Sequence, residues 1–263
     1  MRPFLKWAGG KRWLFDSGQF IAPTITGRYI EPFLGGGAVF FEIRPRKAVL
    51  GDTNTRLIEL YTAVRDCPDE LERLLKIHAL AHCKEYYYSL RGKRLRTPLT
   101  RAAQFLYLNR TCWNGLYREN RKGQFNVPVG TKQNVIFETD DFSGWSRTLM
   151  KTRLVAQDFE KTIKVAKSGD FVFVDPPYTV RHNMNGFVKY NQTMFAWQDQ
   201  LRLREALGRA VERGASIAMT NADHESIRDL YSGFGNHSKL GRHSVIAGSS
   251  SHRAHSTELL VTA

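Results

Sequence analysis

Apolar and polar positions follow one rhythm at the two ends of this chain and another in its middle. Short apolar runs at 28–33, 48–52, 152–159, 171–174 and 215–221 are rich in β-branched and aromatic residues. The 171–174 run is bounded by Gly169-Asp170 and by two prolines, which is the pattern of a buried strand. Helical spacing follows most of them: 12–21, a helix starting over 38–43, 55–64, a charged helix running to residue 213, and 222–231. Strand alternating with helix predicts an α/β sheet. Two more strands, near 242–247 and at 258–263, close the chain, joined by the polar linker 248–253.

From residue 66 to about 150 this rhythm breaks. Stretches 70–80 and 99–108 keep helical spacing with charge on their other faces. His78 and His82 stand i, i+4, but no acid or third ligand accompanies them at motif distance, so a core or solvated pair is expected and no metal. Thr111 to Gly130 places glycine turns between short β-prone runs rich in Arg, Asn and aromatic residues. That composition suits a hairpin or loop laid into a DNA groove; the alternative is a structural hairpin with its aromatics packed inward. A long polar loop, 179–193, is expected to be functional.

Charge sharpens the picture. The 263 residues carry a net +14 with a pI near 9.9. The excess is segregated: Arg91, Lys93, Arg94, Arg96, Arg101, Arg110, Arg118, Arg121 and Lys122 face only Glu119, and 237–255 holds no acid. A polyanionic partner is the expectation. Hydrophobic content is ordinary, apolar runs are too short to span a bilayer, and Met1 to Trp7 shows no signal-peptide core. Three widely spaced cysteines, Cys67, Cys83 and Cys112, give neither a disulfide framework nor a zinc site, so a cytoplasmic location is expected.

The candidate chemistry centres on Asp175-Pro176-Pro177-Tyr178, directly after the 171–174 strand. The prolines remove backbone donors and stiffen the exit from the sheet, where ligands of open α/β sheets bind. Such a group suits methylation of an exocyclic amine. Asp175 and the Pro176 carbonyl would grip the amino hydrogens, and Tyr178 would stack on an extruded base; the alternative is an ordinary strand-ending turn. Trp7-Ala8-Gly9-Gly10-Lys11 is a glycine turn that fails the P-loop pattern, leaving Lys11 beside a carboxylate or phosphate. Leu34-Gly35-Gly36-Gly37 after a strand lets a cofactor lie across the strand end. Asp52, 15 positions past Gly37, either faces a ribose or caps the next helix, with Asn54 or Thr53 free to cap in the first case.

Taken in order, these segments resemble the Dam-type DNA adenine-N6 methyltransferases over nearly the full length. The matching pieces are Phe4 to Lys11, Glu31 to Gly37, Asp52-Thr53-Asn54, Phe105 to Arg110, Asn114-Gly115-Leu116, Gly123 to Pro128, and Asp175 to Tyr178. The resemblance implies a doubly wound, mostly parallel, seven-stranded S-adenosyl-L-methionine (AdoMet)-dependent α/β fold, Rossmann-like. Catalytic parts 1–65 and 150–263 would flank a mainly helical recognition insertion, 66–149, containing a β-hairpin. It implies AdoMet held by Trp7, Lys11, Phe33, Gly35, Gly36, Gly37, Asp52 at the ribose, Asp158 near the adenine amino group, Phe159 and Asp175. It implies a monomer acting on double-stranded DNA without metal, the catalytic residues being Asp175, Pro176, Pro177 and Tyr178. Base readers match Lys6, Asn114, Leu116, Arg118 and Pro128, with Trp113 stacking into the gap left by a flipped adenine. Family members of this type methylate GATC. Thr131 and Lys132 replace the arginine and tyrosine that often follow Gly130, so GATC and a related or relaxed site stay open, beside the alternatives of a cytosine-N4 enzyme and a DNA-binding module without catalysis.

Overall fold

A computed structural model describes residues 1–120, 122–181, 195–243 and 255–263. Its strands are β1 (Tyr29–Glu31), β2 (Ala48–Asp52), β3 (Thr152–Ala156), β4 (Phe171–Val174), β5 (Ser216–Ala222), β6 (Asn236–His243) and β7 (His255–Thr262). They form a seven-stranded sheet in the order β3-β2-β1-β4-β5-β7-β6. β1 pairs in parallel with β2 and β4, and β4 with β5, whereas β7 runs antiparallel to both β5 and β6. β1 and β4 are buried throughout, as strands covered on both faces must be, which explains the unbroken apolar run of β4; the buried Glu31 of β1 accepts the Tyr29 hydroxyl at 2.9 Å.

The helices are α1 (Trp13–Asp16), α2 (Ala38–Ile43), α3 (Thr55–Asp66), α4 (Pro68–Leu80), α5 (Lys84–Gly92), α6 (Pro98–Thr111), α7 (Phe142–Leu149), α8 (Phe159–Ile163), α9 (Trp197–Glu212) and α10 (Glu225–Leu230). The chain gathers into two compact units. The first comprises Met1–Phe20, Leu34–Arg46 and Gly51–Gln157; the second comprises Ile21–Phe33, Lys47–Leu50 and Asp158–Ala263.

Within the first unit α3, α4 and α5 pack on α6, and α7 packs on α3 and α4. The charged outer face expected for α6 is absent: every residue from Ala102 to Thr111 is buried. Its buried polar side chains find partners internally, as burial requires, with Arg110 Nε left over. Gln104 Nε2 donates to the Leu90 and Lys93 carbonyls at 2.6 and 2.9 Å. Arg110, 1% exposed, forks onto Asp140 at 2.5 and 2.9 Å and reaches the Val135 carbonyl. Arg110 therefore leaves the set of phosphate-facing cations. Arg101 is likewise committed to Glu59, at 2.5 and 2.9 Å.

Other departures have local causes. The expected helix 12–21 is one turn, because Gly18 turns left-handed at φ 67° and Ser17 ends it. Asp158 lies beyond β3 and caps α8 instead of ending the strand. The strand expected near 242–247 begins at Asn236, where a largely polar run finds its partner in β7; residues 244–247, the linker 248–253 and residues 182–193 of the expected loop lie outside the described residues. α5 and α7 were not expected from spacing at all. The former is capped by the Cys83 sulfur and the latter by the Asp141 carboxylate.

Candidate active site

In the second unit, β4 delivers the Asp175–Tyr178 segment. Val174 stands opposite Met219 in the β4–β5 register, so Asp175 meets the next residue of β5. Thr220 Oγ1 donates to Asp175 Oδ1 at 2.8 Å. Tyr178 donates its hydroxyl hydrogen to Glu258 Oε2 on β7 at 2.6 Å. Burial, then the charges of Asp175 and Glu258, push the Tyr178 hydroxyl well above its ordinary pKa, so it stays a donor. Pro176 is buried, and the chain leaving the motif is fastened by a buried polar network. Thr179 Oγ1 donates to the Phe195 carbonyl at 2.7 Å, Gln200 Nε2 to the Thr179 carbonyl at 3.3 Å, and Asn221 Nδ2 to Gln200 at 3.2 Å.

The same unit holds an aromatic cluster. Phe33 stacks on Phe159 with ring centroids 5.3 Å apart and meets Phe195 edge-on at 5.6 Å. Asp158 caps α8 by accepting the Glu160 N–H at 2.9 Å and pairs with Arg202 at 2.9 Å, while the Arg202 guanidinium lies 4.9 Å over the Phe159 ring. Asp158 thus enters the site as part of an ion-pair network that includes Glu160 and Asp199.

In the first unit, the glycine turn folds against Asp52. Asp52 Oδ2 accepts the Gly35 N–H at 3.0 Å and Oδ1 the Asn54 N–H at 2.9 Å. Burial outweighs these donors and raises the Asp52 pKa. The capping alternative falls to Asn54, whose side chain accepts the Leu57 N–H at 3.1 Å. Gly35 and Gly37 have φ of 46° and 64°, and there is no room for a Cβ: at Gly35 it would lie 2.7 Å from Trp7 Nε1, at Gly37 2.6 Å from the Tyr61 hydroxyl. The Trp7 indole therefore lies on the bare backbone of Gly35 and Gly36. Lys11 is 3% exposed with Nζ on the Gly9 carbonyl at 2.9 Å.

Residues 111–120 and 122–130 form the two arms of the loose hairpin that the turns suggested. Its arms are joined by the bridges Cys112 to Val129 and Glu119 to Phe125, and by bonds from Trp113 N to the Pro128 carbonyl and from Asn126 N to the Arg118 carbonyl. Its aromatics divide. Tyr117 turns inward, stacked between Trp7 and Phe105 with centroids 5.4 and 4.9 Å away, whereas Trp113 is 51% exposed. Asn114, Leu116, Arg118 and Pro128 are exposed too, and Arg118 Nε is steadied by Asn126 Oδ1 at 2.9 Å. Lys6 joins them: Asn109 clamps its backbone from both sides at 3.0 and 2.8 Å, and its side chain covers Gly115. Burial and the hydrogen-bonded Lys132 ammonium lower the Lys6 pKa to about 8. His78 and His82 bond the Tyr86 and Tyr107 hydroxyls, each at 2.7 Å, and among the described residues no group of side chains has a metal-binding arrangement.

The model of the D12 class N6 adenine-specific DNA methyltransferases matches residues 7–245. The chain belongs to this family. Relatives agree along the whole length. It is 38% identical to a Type II methyltransferase of Lactococcus lactis subsp. cremoris, covering 100% of this chain and 95% of that protein. It is 33% identical to a Type II methyltransferase of Methanocaldococcus jannaschii, covering 89% of each. It is 34% identical to a DNA adenine methylase of Haemophilus influenzae, covering 88% and 83%. The enzyme is an adenine-specific DNA methyltransferase with DNA as its substrate, and no helix among its described residues is long and apolar enough to cross a membrane.

For this methyltransferase the expected residues fall into three groups. Trp7, Gly35, Gly36, Gly37 and Asp52 come together around the glycine turn; Phe33, Asp158 and Phe159 form the aromatic and ionic cluster; Lys6, Trp113, Asn114, Leu116, Arg118 and Pro128 share the hairpin region. Sequence reasoning missed Thr220 and Glu258, which hold Asp175 and Tyr178, and Tyr117, which carries the stack beside Trp7. Thr220 had a signal in principle, since it lies in the 215–221 run read as a strand.

Proposed function

We propose that the enzyme transfers the methyl group of AdoMet to N6 of an adenine extruded from duplex DNA, at GATC. The carrying observation is the pinning of the Asp-Pro-Pro-Tyr segment at both ends, Asp175 by Thr220 and Tyr178 by Glu258. A carboxylate so held accepts one amino hydrogen of the base and orients the nitrogen lone pair, while the Tyr178 face stacks on the ring. The Pro176 carbonyl would take the second hydrogen.

The residues present fit AdoMet. Asp52 keeps acceptor capacity beyond its backbone donors, as a ribose-binding acid needs, and the glycine turn offers a backbone without side chains. In the first unit Trp7 would supply an apolar face and Lys11 a polar contact; in the second, Phe33 and Phe159 would supply apolar faces and Asp158 and Asp175 polar contacts. AdoMet brings an electrophilic methyl with its own leaving group, so the protein's task is to hold, orient and desolvate. The exposed hairpin residues and Lys6 would read the bases, with Trp113 filling the gap left by the adenine. Residues 66–149 would act as the recognition domain between catalytic parts 1–65 and 150–263. Thr131 and Lys132 stand where the resemblance expects an arginine and a tyrosine, and the Lys132 charge acts on Lys6.

Methylation of unmodified plasmid DNA, followed by nucleoside mass spectrometry and mapping, tests this. N6-methyladenine confined to GATC is the expected result. N6-methyladenine elsewhere would refute the site and turn attention to Thr131 and Lys132; N4-methylcytosine, or no modified base, would refute the reading.

A further inference from the structure

Glu258 is 6% exposed in the middle of a strand, a costly place for a carboxylate unless something needs it. The β5–β7 register pairs Thr220 with Leu260 and Ala222 with Glu258, which puts Thr220 and Glu258 on one face of the sheet. From that face Thr220 reaches Asp175 and Glu258 reaches Tyr178, so adjoining strands hold the two ends of one four-residue segment. The Tyr178–Glu258 distance of 2.6 Å is that of a charge-assisted hydrogen bond. The tyrosine oxygen lies on the axis about which the ring turns, but conjugation keeps its hydrogen in the ring plane, so an acceptor fixed to one side favours one plane, and a stacking platform works only in one plane. We propose that Glu258 is a positioning residue for the target base, fixing the plane of Tyr178 by accepting its hydroxyl hydrogen.

The inference rests on the reading that Tyr178 stacks on the extruded adenine. It is tested by a mutant cycle on the full-length enzyme, with DNA carrying 2-aminopurine at the target position as a reporter of base extrusion. Glu258→Ala should lower kcat about 10- to 100-fold, the scale on which small misplacements act. It should also dim the 2-aminopurine signal and leave the KM for AdoMet unchanged. Glu258→Gln, which keeps an acceptor oxygen, should recover to within about threefold, since it retains the hydrogen bond. On a Tyr178→Phe background Glu258→Ala should cost nothing further. Additive losses in the cycle, or a Glu258→Gln variant as impaired as Tyr178→Phe, would overturn the proposal. If Glu258→Ala does not fold, the comparison of Glu258→Gln with Tyr178→Phe decides by the same criterion. A parent enzyme that forms no N6-methyladenine would sink the underlying reading. An active parent whose Glu258→Ala variant is equally active would sink this inference alone.

Discussion

Strand β4 carries an aspartate at each end, and the two are held in opposite ways. Asp170, just before its first residue, has a fully buried side chain that receives four hydrogen bonds. They come from Arg28 N at 2.7 Å, Arg28 Nε at 3.3 Å, Arg28 Nη2 at 2.6 Å and Lys167 N at 3.1 Å. Asp175, just past its last residue, takes a neutral hydroxyl from Thr220 and is followed by two prolines that have no N–H to offer. One strand thus separates a carboxylate bound by a cation and backbone donors from one that takes a neutral hydroxyl from the neighbouring strand. The amino end of β4 is built for stability, and the carboxyl end is the one at which open α/β sheets bind their ligands.

The largest effect should come from the amino end. Asp170→Ala leaves the Arg28 fork and two backbone donors without their acceptor and should destabilise the fold by about 3 kcal/mol, the lower end of the range for breaking a buried pair. The lower end applies because Arg28 keeps 29% exposure. Denaturant titration measures it, and methylation per folded molecule should stay near the parent's. The same residue fixes a pH dependence. Burial would raise its pKa, but the Arg28 side chain, Arg28 N–H and Lys167 N–H more than reverse this and bring it below the ordinary carboxylate value. The unfolded chain then binds the proton more readily. The stabilisation is complete above about pH 4 and is lost as pH falls through the folded-state value. Asp170→Ala should therefore flatten the acid limb of stability against pH. Asp52, raised by burial, contributes the reverse slope, stability falling as pH rises from its unfolded toward its folded value.

At the other end, Asp175→Ala should lower the rate of methyl transfer about 10²- to 10³-fold, the usual cost of removing one preorganised polar contact to the reacting group. DNA affinity and the melting midpoint should change little. A loss of DNA binding or of stability as large as that of Asp170→Ala would erase the distinction between the two ends.

Much of this asymmetry was legible in the chain and part of it was not. β2 and β4 fall on the expected residues, because a buried parallel strand is a continuous apolar run cut off by turn chemistry. The strand–glycine–helix order and Asn54 as the cap of α3 were readable for the same local reason. β6 was misplaced because its run Asn236–His243 is largely polar; only pairing with β7 makes it a strand. α6 was read as half-exposed because Arg101 and Arg110 look like solvent-facing cations until Glu59 and Asp140, far off in sequence, claim them. Thr220 and Glu258 stayed hidden because their roles depend on strand register, which a strand's own residues do not state. The chemistry-bearing motif could be read from four letters, whereas the residues that aim it come from β5 and β7.

The smallest of the expected effects sharpens the comparison most. Thr220 is buried, and its hydroxyl is the contact that turns the Asp175 carboxylate toward β5. Thr220→Val keeps the shape and removes the donor, so it should cost about 0.5–1.5 kcal/mol, the net worth of one such hydrogen bond. The question is where that cost appears. If Asp175 is held for chemistry, it falls on kcat, about 3- to 10-fold, while the melting midpoint stays within about 2 °C of the parent. If Thr220 merely satisfies a buried acid, as Arg28 does for Asp170, the loss moves into stability and the rate per folded molecule is unchanged. Turnover and melting measured on the same preparation separate the two, and the second outcome would make Asp175 a second Asp170.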